Sequence, residues 1–385
     1  MLSFFDFRTF FRIARKSFSP NADDVAQLSI KRMFFLIAFF IVFPIFQLFN
    51  ALCFKLDDIL YPGHKSIKIK EPVFIIGNPR SGTTHMHRLL ALDSKHFFFF
   101  KTWEIIFPAI CQKKILTAVG RLDARLGGAG YRFIRKKEMS TMTELGKVHP
   151  SGLFLPEECE LLSLHIFSSY NLLFLFPLKN EFKWFVHFDR MLSEKEKKRI
   201  MTFYVECIRR HAYFKKHTGH FLSKSPAFSS KIESLFEYFP DGKIIYMARS
   251  PLEVIPSIFN LVQEFYRSIL HLSANQEMFA DVYQTVKTFY DYPLSILDTK
   301  AASSYFIVNY ELLIKSPLNI MSKCYDHLGY ELHAEYRELL NCEEENARKY
   351  ISRHHYSLEK FNLSHEQILH DFRDIFERFN FDRQM

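Results

Sequence analysis

The chain of 385 residues has no paired cysteines, no linker and no repeat, and each absence narrows what it is built to do. Its six cysteines, Cys53, Cys111, Cys159, Cys207, Cys324 and Cys342, stand singly, with no C-x-x-C pair and no histidine at metal-ligand spacing. That pattern excludes a disulfide scaffold and suits a reducing compartment in which thiols are buried as small hydrophobes. No Gly/Ser/Pro-rich tract divides the chain after residue 70, so residues 71–385 read as one domain of about 310 residues. No internal period is present, which excludes a solenoid. The net charge of +9 is spread out, with no block of five or six like charges and no Asp-rich metal-binding stretch. No basic-aromatic module for nucleic acid is visible beyond the N-terminal segment.

Residues 1–70 read as a separate membrane-associated helical segment. Met33 to Phe54 is a long apolar run without a charge, interrupted only by Pro44, Gln47 and Asn50. At about 1.5 Å per residue it is long enough to cross a hydrocarbon core. No small-residue cleavage site follows, so the run is expected to be retained. Lys31 and Arg32 precede it and Lys55, Lys65, Lys68 and Lys70 follow, so the charge bias chooses no orientation. Arg8, Arg12, Arg15 and Lys16 lie among Phe4, Phe5, Phe7, Phe10 and Phe11, the mixture of a segment lying on a membrane surface. Spanning helix, surface helix and helix packed on the domain all fit this composition.

In the globular part, short apolar runs end in polar residues and alternate with helical spacing. Pro72 to Ile76, Phe221 to Ser223, Lys243 to Met247 and Tyr305 to Val308 read as strands; Glu194 to His211, Leu252 to Ser268 and Gln276 to Leu297 read as helices. Such alternation predicts an α/β fold, a mostly parallel sheet flanked by helices, with ligands outside the carboxyl ends of the strands.

The first strand leads into Gly77-Asn-Pro-Arg-Ser-Gly-Thr-Thr84, with the glycine spacing of a phosphate-binding loop but Thr83 where nucleotide-triphosphate enzymes carry lysine. A helix start offers unpaired N–H groups and a partial positive charge, so Ser81 to Thr84 suit an anionic group. Arg80 adds a guanidinium fork, and the hydroxyls of Ser81, Thr83 and Thr84 are further donors. An ordinary strand-to-helix turn, with Gly77 and Gly82 serving geometry alone, is the plain alternative.

At PRSGTT the chain resembles the sulfotransferase superfamily, in its broad branch related to the tyrosylprotein enzymes. The segments FIIGNPRSGTTHMHRLLALD, KTWEIIFP, HPSGLFLPEECELL, LSKSPA, YMARSPLEVIPS and HHYSLEKFNLS follow that pattern in order, over residues 71 to 364. The resemblance implies 3′-phosphoadenosine 5′-phosphosulfate (PAPS) as co-substrate, without metal. It implies that Arg80, Ser81, Gly82, Thr83 and Thr84 hold the 5′-phosphosulfate and that Arg249 and Ser257 grip the 3′-phosphate. Lys224 is then expected beside the bridging oxygen, where charge develops as the bond breaks. Tyr310 is either a donor-site tyrosine or a strand-end residue anchoring its hydroxyl. Arg348, Lys349 and Arg353 belong either to a closing basic loop or to a solvated charge run.

An acceptor hydroxyl must lose a proton, and three candidates for the base follow the loop: Glu104, His149 and the pair Glu157 and Glu158. His149 leads on unperturbed pKa and on resemblance, with Glu157 in support. A P-loop-like kinase and a catalytically silent membrane scaffold are the rival readings. The N-terminal segment makes a lipid or another amphipathic alcohol the expected acceptor class. The cytoplasmic face of a bacterial inner membrane is the expected location, with the Golgi membrane as alternative.

Overall fold

The computed structural model describes residues 1–19, 28–141, 152–178, 180–270, 272, 274–349 and 358–383. Strands β1 (Val73–Gly77), β2 (Phe97–Phe98), β3 (His220–Lys224), β4 (Lys243–Ala248) and β5 (Tyr305–Asn309) form one sheet in the order β2-β3-β1-β4-β5. Every pairing in it is parallel. Four strands match the sequence expectation; β2, two residues long, is an addition. Both faces are covered, which is why β1 and β4 read as unbroken apolar runs.

The pleat sorts their side chains by parity. Phe74, Ile76, Ile244 and Tyr246 join one buried cluster, with residues of α7 (Glu194–Lys215), α8 (Pro251–Phe265) and α9 (Gln276–Leu297). Val73, Ile75, Ile245 and Met247 join the other, with Met86, Leu89 and Leu90 of α3 (Thr83–Ala91). Each such fully buried side chain contributes about 1.5–3 kcal/mol of transfer free energy. Helix α7 opens on a capping box in which Ser193 and Glu196 bond reciprocally. Helix α8 begins with Pro251 at its first position and ends at Phe265, three residues before the expected Ser268; a π turn, Tyr266–Leu270, takes over there.

The N-terminal part is two helices, α1 (Phe7–Phe18) and α2 (Ile30–Leu60). Phe10, Ile13, Leu36, Cys53 and Phe54 from these helices belong to the larger core cluster. Between β2 and α7 run α4 (Thr102–Ile106), α5 (Ile110–Arg125) and α6 (Ala129–Thr141). The parallel sheet gathers the ends of β1, β3, β4 and β5 along one edge, so the 77–84 loop, Lys224, Arg249 and Tyr310 come to the same side.

Candidate active site

The loop after β1 makes a tight, left-handed turn. Gly77 has φ +136°, and a Cβ there would lie 2.6 Å from the Met247 carbonyl oxygen. Gly82 has φ +90°, and a Cβ there would sit 2.2 Å from Cδ2 of Tyr310. Glycine is therefore required at both positions, by backbone angle and by close approach. Arg80 also adopts a positive φ, 67°, a conformation costing about 1–3 kcal/mol in a residue with a side chain. Arg249 supports it: its Nη1 donates to the Arg80 carbonyl at 2.7 Å. Ser229 fastens the entry, its hydroxyl accepting from the Gly77 N–H at 3.0 Å and donating to the Gly77 carbonyl at 3.1 Å.

Ser81 faces inward: its hydroxyl donates to the Asn78 carbonyl at 2.6 Å, and its N–H points to the same oxygen at 3.1 Å. This corrects the expectation that its hydroxyl and N–H serve a phosphate; they close the turn. Helix α3 starts at Thr83 with Gly82 as N-cap, so the helix start that could receive an anionic group is formed by residues 82–84. The first N–H groups of such a helix have no intrahelical acceptor, and together they carry about half an elementary positive charge.

Three further expected residues converge on this turn. Arg80 Nε donates to Ser257 Oγ at 3.0 Å, which joins the loop to α8. The Arg249 guanidinium lies 4.5 Å from the centre of the Tyr310 ring, and its Nε donates to Glu253 at 2.6 Å. Tyr310 thus works through its ring, as a plate between Gly82 and Arg249. Tyr290, which the sequence reading left aside, donates its hydroxyl to the Arg249 carbonyl at 2.6 Å.

These groups line one end of a cavity of about 690 Å³. Arg80, Gly82, Thr83, Thr84, Arg249 and Tyr310 are the part of its lining at the turn, and Glu157, Glu158, Pro226 and Ala227 line it too. Helix α8 runs on from Ser257, bonded to Arg80, about two turns to Phe265, whose ring meets Phe174. Leu161, Leu164, Leu175 and Leu261 belong, with those two rings, to the apolar part of the lining. Lys224 is 1% exposed and is not itself in the cavity lining; its Nζ donates to the lining residue Glu158 at 2.8 Å. Glu157 accepts from the Glu158 N–H at 2.9 Å and from the Thr102 hydroxyl at 3.4 Å. The apolar wall rests on a buried hub that motif spacing did not signal. Glu160 accepts from Ser169 Oγ, the Tyr170 N–H, Asn171 Nδ2 and Lys231 Nζ at 2.5–3.2 Å, setting Tyr170 and Asn171 in place.

Two base candidates separate from this group. His149 lies outside the described residues, as do Arg353 and the segment around it. Glu104 is described and stands apart from the cavity: at 1% exposure, one oxygen accepts from the Lys101 N–H at 2.8 Å and the other pairs with Lys215 at 2.7 Å. Its carboxylate caps α4 and ties it to α7, so it is not presented to the other site residues. His87, one turn into α3, is held neutral: burial, then the positive charges of Lys224 and Arg88, push its imidazole well below its ordinary pKa.

Among the described residues a second constellation has metal-ligand spacing, Asp93, His96 and His333. It lies beyond the C-terminal end of α3 and before β2, at the opposite edge of the sheet from the loop. Asp93 accepts from His96 Nδ1 and Tyr325 at 2.7 Å and from His333 Nε2 at 3.2 Å. His333 Nδ1 accepts the Tyr336 N–H at 3.2 Å, which places the proton of the neutral ring on Nε2. That nitrogen has no lone pair left for a cation, and the cluster reads as a hydrogen-bonded clasp.

A glycine-bounded turn at a helix start, two arginines and a cavity at the strand ends of a parallel sheet are the arrangement of a P-loop-like fold. The chain belongs to the sulfotransferase family, whose model matches residues 72–334. It is 24% identical, over 81% of its length and 76% of the relative's, to omega-hydroxy-beta-dihydromenaquinone-9 sulfotransferase Stf3 of Mycobacterium bovis. The same values hold for the protein of that name in Mycobacterium tuberculosis. Its fold matches two crystal structures at 18% identity. Sulfotransferase STF9 from Mycobacterium avium gives a TM-score of 0.74, over 96% of this chain and 90% of that one. STF1 from Mycobacterium tuberculosis gives 0.69, over 95% and 92%.

Proposed function

We propose that the protein transfers the sulfonate group of PAPS to the hydroxyl of a long-chain, amphipathic alcohol. The observation that carries this reading is the lining of the larger cavity, with N–H, hydroxyl and guanidinium groups at the 77–84 turn and aliphatic and aromatic side chains about two turns further along α8. The donor set fits PAPS: Arg80 with the N–H groups and hydroxyls of residues 82–84 for the 5′-phosphosulfate, Ser257 and Arg249 for the 3′-phosphate, and Tyr310 beside both. The mycobacterial relative is named for a hydroxylated menaquinone as acceptor, which supports an apolar acceptor here.

The acceptor oxygen attacks sulfur in line while the bond from sulfur to the bridging phosphate oxygen breaks; the hydroxyl proton passes to a base and 3′-phosphoadenosine 5′-phosphate leaves. Lys224, held by Glu158, is the residue proposed to meet the negative charge that grows on the bridging oxygen, and the start of α3 shares it. His149 remains the proposed base on family resemblance, with Glu157 at the cavity wall in support; Glu104 is set aside, because both its oxygens are engaged elsewhere. The mycobacterial relatives and the unpaired cysteines favour the cytoplasmic face of a bacterial inner membrane over a Golgi location.

The test is incubation of full-length protein with sulfur-35 PAPS and a total lipid extract. Label is expected in one lipid species, and Lys224→Met should lower kcat about 100-fold or more with KM for PAPS little changed. Label in no lipid, with a soluble extract accepting it instead, contradicts the acceptor class.

A further inference from the structure

Helix α2 has two faces of different chemistry. On one, Arg32, Gln47, Asn50 and Asp57 are at most 4% exposed, and each is tied to the rest of the protein. Arg32 Nη2 donates to the Leu175 carbonyl at 2.9 Å, and Gln112 Nε2 donates to Asn50 Oδ1 at 2.7 Å. The side chain of Gln47 meets His165 Nδ1 at 2.9 Å. Asp57 accepts the N–H groups of Ile110 and Cys111 at 2.6 and 2.9 Å, capping the start of α5. From Arg32 to Asp57 this docked face is about 38 Å long.

On the other face Phe34, Ile41, Ile45, Leu48, Leu52 and Ile59 recur every three to seven residues and are 52–74% exposed. Helix α5, packed on α2 and α6, adds Val119, Leu122 and Leu126, each 56–75% exposed, and α6 adds Phe133 and Met139 at 62% and 72%. Exposed apolar patches of this extent mark an interaction surface. Its charge indicates the partner: α2, α5 and α6 hold 11 Lys and Arg against four Asp and Glu, with Arg32 and Lys113 buried among the 11, and the adjoining α1 adds four Lys and Arg and no acid. The remainder of the protein is slightly acidic, so the positive charge is concentrated on the elements that expose apolar side chains. Basic and apolar residues combined on exposed helices suit an anionic bilayer surface.

A helix crossing a bilayer needs every lipid-facing side apolar, and loops do not accompany it into hydrocarbon. Here one side of α2 is occupied by the globular part, through Arg32 and Leu36 near its start, the partly buried rings of Phe39, Phe40 and Phe43, and the polar contacts of Gln47, Asn50 and Asp57 in its second half. We propose that α2, with α5 and α6, is an in-plane ledge that seats the protein on one leaflet of an anionic membrane, with both ends of α2 on the same side.

The ledge adjoins the cavity. Leu164 and Leu175 line the cavity, while the next residues, His165 and Phe176, meet Gln47 and the rings of Phe39 and Phe40 of α2. A second cavity of about 180 Å³ shares Tyr170, Phe174 and Val262 with the first. It reaches Glu181, which Arg12 and Lys16 of α1 hold at 3.2 and 2.8 Å. The bilayer is therefore also the source of the acceptor, a step that rests on the function proposed above.

The experiment places single cysteines at Lys31 and Lys65, one at each end of α2, in a full-length Cys342→Ser background. Sealed inverted membrane vesicles from the expressing cells are treated with a membrane-impermeant maleimide. Both positions should react without detergent; reaction of only one until detergent is added means a span and overturns the ledge. In parallel, purified protein is sedimented with phosphatidylglycerol/phosphatidylcholine vesicles. Binding should be at least ten-fold tighter than to phosphatidylcholine alone, and Ile41→Glu with Ile45→Glu should weaken it ten-fold or more. Unchanged binding contradicts the proposal, as does a wild-type dimer that these substitutions convert to monomer, which would assign the face to a second copy. An unchanged melting transition controls for folding. The double variant should keep its turnover of a short, water-soluble alcohol while losing turnover of a vesicle-borne one. Absence of turnover in the wild-type protein would count against the sulfotransferase assignment of the cavity and leave the vesicle result standing on its own.

Discussion

The two ends of the cavity differ in how they are built. The donor end is local: residues 77–84 fold into a turn between β1 and α3, and the residues that complete it, Arg249 and Tyr310, directly follow neighbouring strands. The acceptor end is assembled from distant pieces, with Leu161 to Leu175 crossing to α8 and held from behind by Glu160 and by α2. The proposed donor chemistry sits on strand ends, and the proposed acceptor lining sits on segments that packing alone positions.

That contrast fixes the order of expected effects. The largest are at the donor end. Arg249→Ala removes a guanidinium, the prop under Arg80 and the stack on Tyr310; a 100-fold or greater loss in kcat/KM for PAPS is expected, about 3 kcal/mol in transition-state terms. Gly82→Ala drives a methyl into the Tyr310 ring and should weaken 3′-phosphoadenosine 5′-phosphate binding at least ten-fold by calorimetry, with partial recovery in Gly82→Ala/Tyr310→Ala. Next, Leu164→Glu at the acceptor end should raise KM for long-chain alcohols about ten-fold or more and leave binding of 3′-phosphoadenosine 5′-phosphate unchanged. A loss of donor binding there would erase the distinction between the ends. Smaller is Glu104→Gln, which should lower the melting temperature by a few degrees, through loss of the Lys215 pair, and keep kcat within about two-fold. A collapse of kcat with a flattened pH profile would restore Glu104 as the base.

The wall between cavity and α2 should also respond to acid. Burial pushes the His165 imidazole down to about 4, against the bond from its ring to the Ile105 carbonyl. Unfolded, the ring takes up its proton near its ordinary value of 6.5, so the unfolded state binds more protons between those limits. Stability from this group is therefore full above about pH 6.5 and is lost as pH falls toward 4, by up to about 3 kcal/mol. His165→Asn, measured by denaturant unfolding, should flatten that dependence while lowering stability at pH 7.

Much of the donor end was legible from residue types alone. Buried parallel strands read as continuous apolar runs, and glycines at forced positive φ stand out beside Arg and Thr, so β1, β4 and the 77–84 turn needed little tertiary information. Ser81 did not follow: whether a loop hydroxyl faces ligand or its own backbone depends on one rotamer, and the Asn78 carbonyl decides it. Glu104 and Glu160 show the same limit for carboxylates. Each sits in a segment that carries the family resemblance, yet Lys215 and Lys231, far along the chain, determine that they brace walls. The composition of α2 left span, surface and packed helix open together, because a mean over residues hides which side each residue occupies. Gln47, Asn50 and Asp57 fall on one side and are buried, a placement on which the in-plane proposal rests.

The most direct measurement of the central claim, one cavity joining an anionic donor to an apolar acceptor, is initial-rate sulfonate transfer from PAPS to a series of straight-chain alcohols. Each methylene buried in the apolar end is worth up to about 0.8 kcal/mol, so kcat/KM should climb by as much as about four-fold per methylene until the cavity is filled, with KM for PAPS constant throughout. Rates independent of chain length, or transfer only to small polar alcohols, would contradict it.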